Sequence, residues 1–151
     1  IISLAKGLGG GVPIGATLTS NKVSEGFVPG DHGSTFGGNP LSCAAANAAV
    51  DEIIEKKLSE NAAEVGKYLK NKFLELKSKY DFITDVRGLG LLIGIELNMP
   101  GGEIVDEMRK RRVLINCTSG NVLRFAPPLL ISKSDVDKMI PLLDEVFSNI
   151  N

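Results

Sequence analysis

Ile1-Ile2-Ser3-Leu4-Ala5-Lys6-Gly7-Leu8-Gly9-Gly10-Gly11-Val12-Pro13-Ile14-Gly15-Ala16 decides how the rest of this chain is read. A short apolar run ends on a lysine, and glycines at 7, 9, 10 and 11 follow it. An apolar run bounded by glycine reads as a buried strand over residues 2–5. Pro-Ile-Gly-Ala and the β-branched run that follows read as a second strand over residues 14–19. Lys6 then stands where a strand gives way to a loop, the usual place for chemistry in α/β sheets. In a partly dry site desolvation favours the neutral amine, which is a nucleophile and forms an imine with an aldehyde. The glycines let the backbone approach a bulky ligand. A solvated lysine beside a tight loop is the plainer alternative. The nucleotide fingerprints fail: there is no G-x-x-x-x-G-K-[ST], and Val12 stands where G-x-G-x-x-G needs its last glycine.

Moving outward, Ser20 or Asn21 caps a short turn over residues 22–25. A loop runs from Gly26 to Gly38 and enters Asn39-Pro40, an N-cap followed by proline at the first helical position. The helix over 40–57 is rich in alanine, which suits close packing on a sheet. A second helix, 61–80, keeps Val65, Leu69, Phe73, Leu76 and Tyr80 on one face, as a core stripe requires. Strands are expected at 82–86 and 91–97 around a turn at Arg87-Gly88-Leu89-Gly90. A short helix follows at 103–111. Strands at 113–117 and 122–125 flank the turn Ser119-Gly120-Asn121. Ser132 with Asp135 forms a capping box before a last helix that buries Val136, Ile140, Leu143, Val146 or Phe147, and Ile150. The layout divides near Asn39. Residues 1–39 read as the end of a larger sheet domain, and 40–151 as a small α+β domain with helices on one face of a short sheet.

Three stretches carry candidate chemistry. Lys6 is the first. The second is Asp31-His32-Gly33-Ser34-Thr35-Phe36-Gly37-Gly38, whose hydroxyls and N–H groups before a helix suit a phosphate, or form only a capped loop. His32, the single histidine, is read as a structural hydrogen-bonding group rather than a general base. The third is Arg124 in Leu123-Arg124-Phe125-Ala126-Pro127-Pro128. A guanidinium in an apolar strand needs a partner, which is either a substrate carboxylate or a structural ion pair.

Size, charge and cysteine usage narrow the class. A chain of 151 residues can bury a core of its own. Its 17 basic and 18 acidic side chains give a net charge of −1, which offers no electrostatic case for nucleic acid or an anionic membrane. The run Arg109-Lys110-Arg111-Arg112 is read as a solvated helix end. Cys43 and Cys117 form no metal spacing and fit a reducing, cytoplasmic setting. No run is long enough to span a bilayer. Opening on Ile1 inside a strand gives the expectation of a piece of a longer protein.

Leu4-Ala5-Lys6-Gly7-Leu8-Gly9-Gly10-Gly11 with Pro13-Ile14-Gly15-Ala16 resembles the cofactor-lysine segment of class III pyridoxal-phosphate-dependent aminotransferases. The resemblance covers the whole chain as the C-terminal part of such an enzyme. The fold it implies is α/β: the end of the large, mainly parallel sheet domain of a fold-type I transferase, then the small domain. It implies pyridoxal 5'-phosphate on Lys6 and Thr35 binding the cofactor phosphate of the neighbouring subunit, hence a homodimer. Ser34 matches a substrate-contacting position in the acetylornithine branch. Arg124 matches the arginine that grips the substrate α-carboxylate, and Arg87 a structural position at the small-domain turn. The Gly30–Phe36 loop and the short loops after Leu97 are most similar to the acetylornithine branch, with the ornithine branch less close. The implied reaction moves the δ-amino group of N2-acetylornithine to 2-oxoglutarate. Ornithine or another ω-amine such as succinyl-diaminopimelate is the alternative donor, and a catalytically silent dimerisation piece is the alternative of another class. The family's residues for the pyridine ring and its phosphate-cup loop lie upstream of this sequence, so the chain alone is expected to be inactive.

Overall fold

The computed structural model describes residues 1–150, which form two compact units, residues 1–57 and 58–150. In the first unit, β1 (Ile2–Leu4) pairs antiparallel with β2 (Ala16–Leu18), Ser3 facing Thr17. Between them a 3-10 turn spans Lys6–Gly9, closed by Leu8 N–H donating to Ala5 O at 3.2 Å and Gly10 N–H to Gly7 O at 3.1 Å. The strand expected to be buried is not: Ile2, Leu4 and Leu18 are 61%, 43% and 50% exposed. Their apolar character suits a covered sheet, yet nothing within the first unit covers this ribbon.

After a single turn, α1 (Asn21–Ser24), the loop is shaped by its own short-range bonds. Val28 N–H donates to Asp31 Oδ2 at 2.9 Å, and Gly37 N–H to Ser34 Oγ at 2.9 Å. The loop ends at α2 (Pro40–Glu55), capped as expected: Asn39 Oδ1 accepts from Ser42 N–H at 3.0 Å, and Pro40 opens the helix. The small-residue side of α2 lies on the 3-10 turn rather than on a sheet, and it buries Ser42 and Ala46. The contacts thus group α2 with residues 1–39, so the compact units meet at Lys57–Leu58.

The second unit is an α+β layer pair. Its antiparallel sheet has the order β3-β4-β6-β5, built from Ile83–Leu89, Leu92–Leu97, Val122–Phe125 and Asn116–Thr118 respectively. One sheet face carries Ile93, Ile95, Leu97, Leu123 and Phe125, all at most 5% exposed. Against it pack α3 (Leu58–Lys79), α4 (Gly102–Lys110) and α5 (Lys133–Ser148). The stripe read from the sequence forms the centre of this core, with Phe73 tilted at 45° against Phe125 and 4.5 Å between ring centroids. A register shift between Ile83 and Asp85 lets Ile83 and Val86 share the buried side. The capping box is formed in full, Ser132 and Asp135 each serving the other's backbone N–H.

Two boundaries differ from expectation. The stretch Arg87–Leu89 belongs to β3, because the ladder continues through Arg87↔Gly94, Gly88↔Ile93 and Leu89↔Leu92. Only Gly90 and Leu91 remain to turn the chain. In β5 the strand starts at Asn116 rather than Val113. Its partner β6 ends at Phe125, and at the position that would face Val113 stands Pro127, which has no N–H to extend the ladder. The last helix buries both Val146 and Phe147, whereas Ile140 and Ile150 are partly exposed.

Candidate active site

Two residues past β1, Lys6 opens the 3-10 turn with φ 56°, the left-handed region that residues with a Cβ avoid. That conformation costs about 1 kcal/mol for a lysine, and Lys57, Arg112 and Ser119 adopt it too, at helix ends and a turn. Gly10 and Gly11, at φ 60° and 114°, continue the same unusual path. Gly9 is buried because a Cβ there would lie 2.8 Å from Ile14 Cγ2. The segment is therefore built to turn the lysine out at one fixed place. Its side chain is exposed, so the dry surroundings expected from the sequence are not supplied by this unit; the ribbon that carries it is itself open.

Ser34 and Thr35 sit side by side on the loop that leads into α2, and α2 in turn packs on the turn that begins at Lys6. Ser34 Oγ is engaged as an acceptor by Gly37 N–H, which leaves its own O–H free to donate. Thr35 is exposed, and its hydroxyl makes no hydrogen bond among the described residues. His32 is exposed too, and its side chain makes no hydrogen bond among the described residues.

Arg124 belongs to the second unit. It projects from β6 on the sheet face opposite the helices, where alternate residues are exposed. Its Nε donates to Asn116 Oδ1 at 3.1 Å, the side chain directly across on β5. No carboxylate reaches it among the described residues, so the structural ion pair weighed for it is not formed. On its other side the cross-strand neighbour is Gly94, which has no side chain to offer. Beyond Gly94 in the same row stands Arg87. Arg87 Nη1 donates to Asp85 Oδ2 at 3.0 Å and also pairs with Glu96. Asp85 first, then Glu96, raise the guanidinium further above its ordinary range, and Arg87 holds the Asp85 carboxyl below the usual carboxylate range. Arg87 is thus a structural cross-strand clamp rather than a turn residue.

Asn116 was not legible as a site residue, since its partner is set only by the β5–β6 register. Among the described residues no cluster of His, Cys, Asp and Glu is arranged for a metal, and no helix is long and apolar enough to cross a membrane.

The first unit thus presents an exposed amine on a left-handed turn and hydroxyls on a glycine-rich loop, and the second unit presents a guanidinium with no carboxylate partner among the described residues. The chain matches the family model "Aminotransferase class-III" over residues 1–147. It belongs to that family. It is 51% identical over 150 residues to the acetylornithine aminotransferase of Methanocaldococcus jannaschii, covering 99% of this chain and 38% of that protein. With the acetylornithine aminotransferase of Aquifex aeolicus it shares 50% over 147 residues, 97% of this chain and 37% of the other. Among solved structures, acetylornithine aminotransferase from Elizabethkingia anophelis superposes with a TM-score of 0.91 at 36% identity, covering 98% of this chain and 38% of that one. An ornithine aminotransferase from Toxoplasma gondii gives 0.90 at 34%, covering 97% and 36%. The chain therefore spans a little over a third of the length of these relatives, and the family resemblance read from Leu4–Ala16 holds.

Proposed function

We propose that the complete protein is a pyridoxal-phosphate-dependent transaminase that moves the δ-amino group of N2-acetylornithine to 2-oxoglutarate, a step in arginine synthesis. The observation that carries this is the 51% identity over 150 residues to an acetylornithine aminotransferase, with an exposed primary amine, Lys6, standing in the glycine-rich segment at φ 56°. The donor set fits the cofactor, with an amine for its aldehyde and hydroxyls for its phosphate. When bound, pyridoxal phosphate supplies the aldehyde that takes up an amino group and a ring that accepts an electron pair from the substrate carbon.

In this reading Lys6 Nζ holds the cofactor at rest. As a free amine, Nζ would accept the proton lost from the donor's amine-bearing carbon and hold it as an ammonium. Thr35 Oγ1 binds the phosphate of a neighbouring subunit, so the enzyme works as a homodimer. The free O–H of Ser34 contacts substrate. Arg124 pairs with the α-carboxylate common to donor and acceptor, which orients the labile bond. Residues 1–39 close a larger cofactor-binding domain and residues from Pro40 onward belong to the small domain, which begins with the interdomain helix α2, a helix whose own contacts lie with the first unit. The first unit leaves the Lys6 amine exposed, and on this reading the chain alone is inactive. Cysteine usage supports a cytoplasmic setting.

Ornithine is the second donor to consider, because ornithine aminotransferase structures superpose nearly as well, at TM-scores of 0.90. Steady-state assays of the complete protein with acetylornithine, ornithine and succinyl-diaminopimelate, each against 2-oxoglutarate, decide between them. Acetylornithine is expected to give the highest kcat/KM. A higher value for another donor, or no transamination at all, would overturn the assignment.

A further inference from the structure

Arg124 is held from one side only. In its cross-strand row the neighbour on β4 is Gly94, and the neighbour on β5 is Asn116. The contact that fixes the side chain is Nε–H donating to Asn116 Oδ1 at 3.1 Å. Guanidinium N–H groups only donate, so the amide must present its oxygen here. Two consequences follow. Occupying Nε leaves the end edge of the fork, Nη1 and Nη2, to address an anion in bidentate fashion. And because an amide is neutral, the arginine is oriented without losing its charge, unlike Arg87, which is paired with two carboxylates.

We infer that Asn116 is a positioning residue for the substrate carboxylate: it aims the Arg124 fork and keeps its charge unspent. This rests on the reading of Arg124 as the carboxylate grip. Asparagine is needed rather than aspartate. Aspartate would accept the same hydrogen bond but would place a competing negative charge where the substrate carboxylate must bind.

The test uses the complete protein carrying Asn116→Ala, Asn116→Asp or Arg124→Ala. Glutarate, a dicarboxylate with no amine or ketone to react, is titrated calorimetrically. KM and kcat are measured for acetylornithine and 2-oxoglutarate. Asn116→Ala is expected to weaken glutarate binding and raise both KM values about tenfold, the scale of one hydrogen bond to a charged group, with kcat much less affected. Asn116→Asp is expected to weaken glutarate more than Asn116→Ala does, although it keeps an acceptor. A purely structural role predicts the reverse order, with Asp near the unaltered protein, and that result would overturn the inference. Should Asn116→Ala not fold, the near-isosteric Asp variant alone decides. If Arg124→Ala weakens glutarate while both Asn116 variants bind normally, only the role of Asn116 falls. If Arg124→Ala binds glutarate normally, the carboxylate reading of Arg124 fails and this inference with it.

Discussion

Arg87 and Arg124 occupy one cross-strand row of the sheet, reaching Gly94 from opposite sides. One is neutralised by Asp85 and Glu96, and the other is held only by an amide. Position in the fold is nearly the same for the two, so what separates their roles is the charge of their partners. The sheet provides a clamp and an open cationic group two strands apart, with a glycine between them.

Replacing the two arginines should therefore give different phenotypes. Arg124→Ala in the complete protein is expected to lower kcat/KM for both carboxylate substrates on the order of 100-fold, as loss of a charged, hydrogen-bonded contact does. Arg87→Ala should leave both KM values within about threefold, because its removal spares the Arg124 fork, and should instead lower the thermal unfolding midpoint. Steady-state kinetics and a thermal scan of each variant check this. Equal kinetic damage from both would contradict the division of roles.

Gly66 lies in the buried stripe of α3 against the β3–β4 turn. A Cβ there would sit 2.0 Å from the carbonyl oxygen of Gly90 and 2.3 Å from its carbon. Those atoms are backbone and cannot swing aside. Gly66→Ala should push the helix off the hairpin and cost about 2 kcal/mol or more, despite the better helix propensity of alanine. Denaturant unfolding measures it, and a neutral or stabilising result would mean that the approach is looser than described.

Acid should loosen the seam between α3 and α5. Lys79 Nζ donates to both Asp144 oxygens at 2.7 Å, and Tyr80 Oη donates to Asp144 Oδ1 at 2.7 Å. Lys79 first, then Tyr80, hold this carboxyl below its ordinary range. A carboxyl whose pKa is depressed on folding stabilises the fold above its unfolded pKa of about 4, and that contribution is lost as pH falls through the folded value. Burial first, then the bond to Asp144, raise the Tyr80 phenol, so its share is lost instead as pH climbs above about 10. The unfolding midpoint should drop on going below about pH 4, and Asp144→Asn should flatten that drop. A slope unchanged by Asp144→Asn would place the acid sensitivity elsewhere.

Local chemistry was legible where it acts through near neighbours. Asn39-Pro40, the Ser132–Asp135 box, the stripe from Val65 to Leu76 and the turn at Ser119–Asn121 all formed where their spacing put them. What was missed depends on partners distant in sequence. Gly88 read as a turn residue but lies in a strand, where a Cβ would meet Leu92 O at 2.2 Å. Val113–Ile115 read as strand, but the ladder with β6 ends at Asn116↔Arg124, short of the position where Pro127 would face Val113. The left-handed φ of Lys6 is not written in a lysine's propensities; only the glycines around it hinted at an unusual path. The lone signal for Gly66 was a glycine inside a strongly periodic helix, which marks a close approach. Asn116 gave no signal of its own, because its link to Arg124 exists only once the hairpin register is set.

The account rests on Lys6 being the amine that carries the cofactor. Borohydride reduction of the complete protein, followed by peptide mapping, tests this directly. A pyridoxyl group on Lys6 Nζ is the predicted result; a label on any other side chain, or no label, would contradict it.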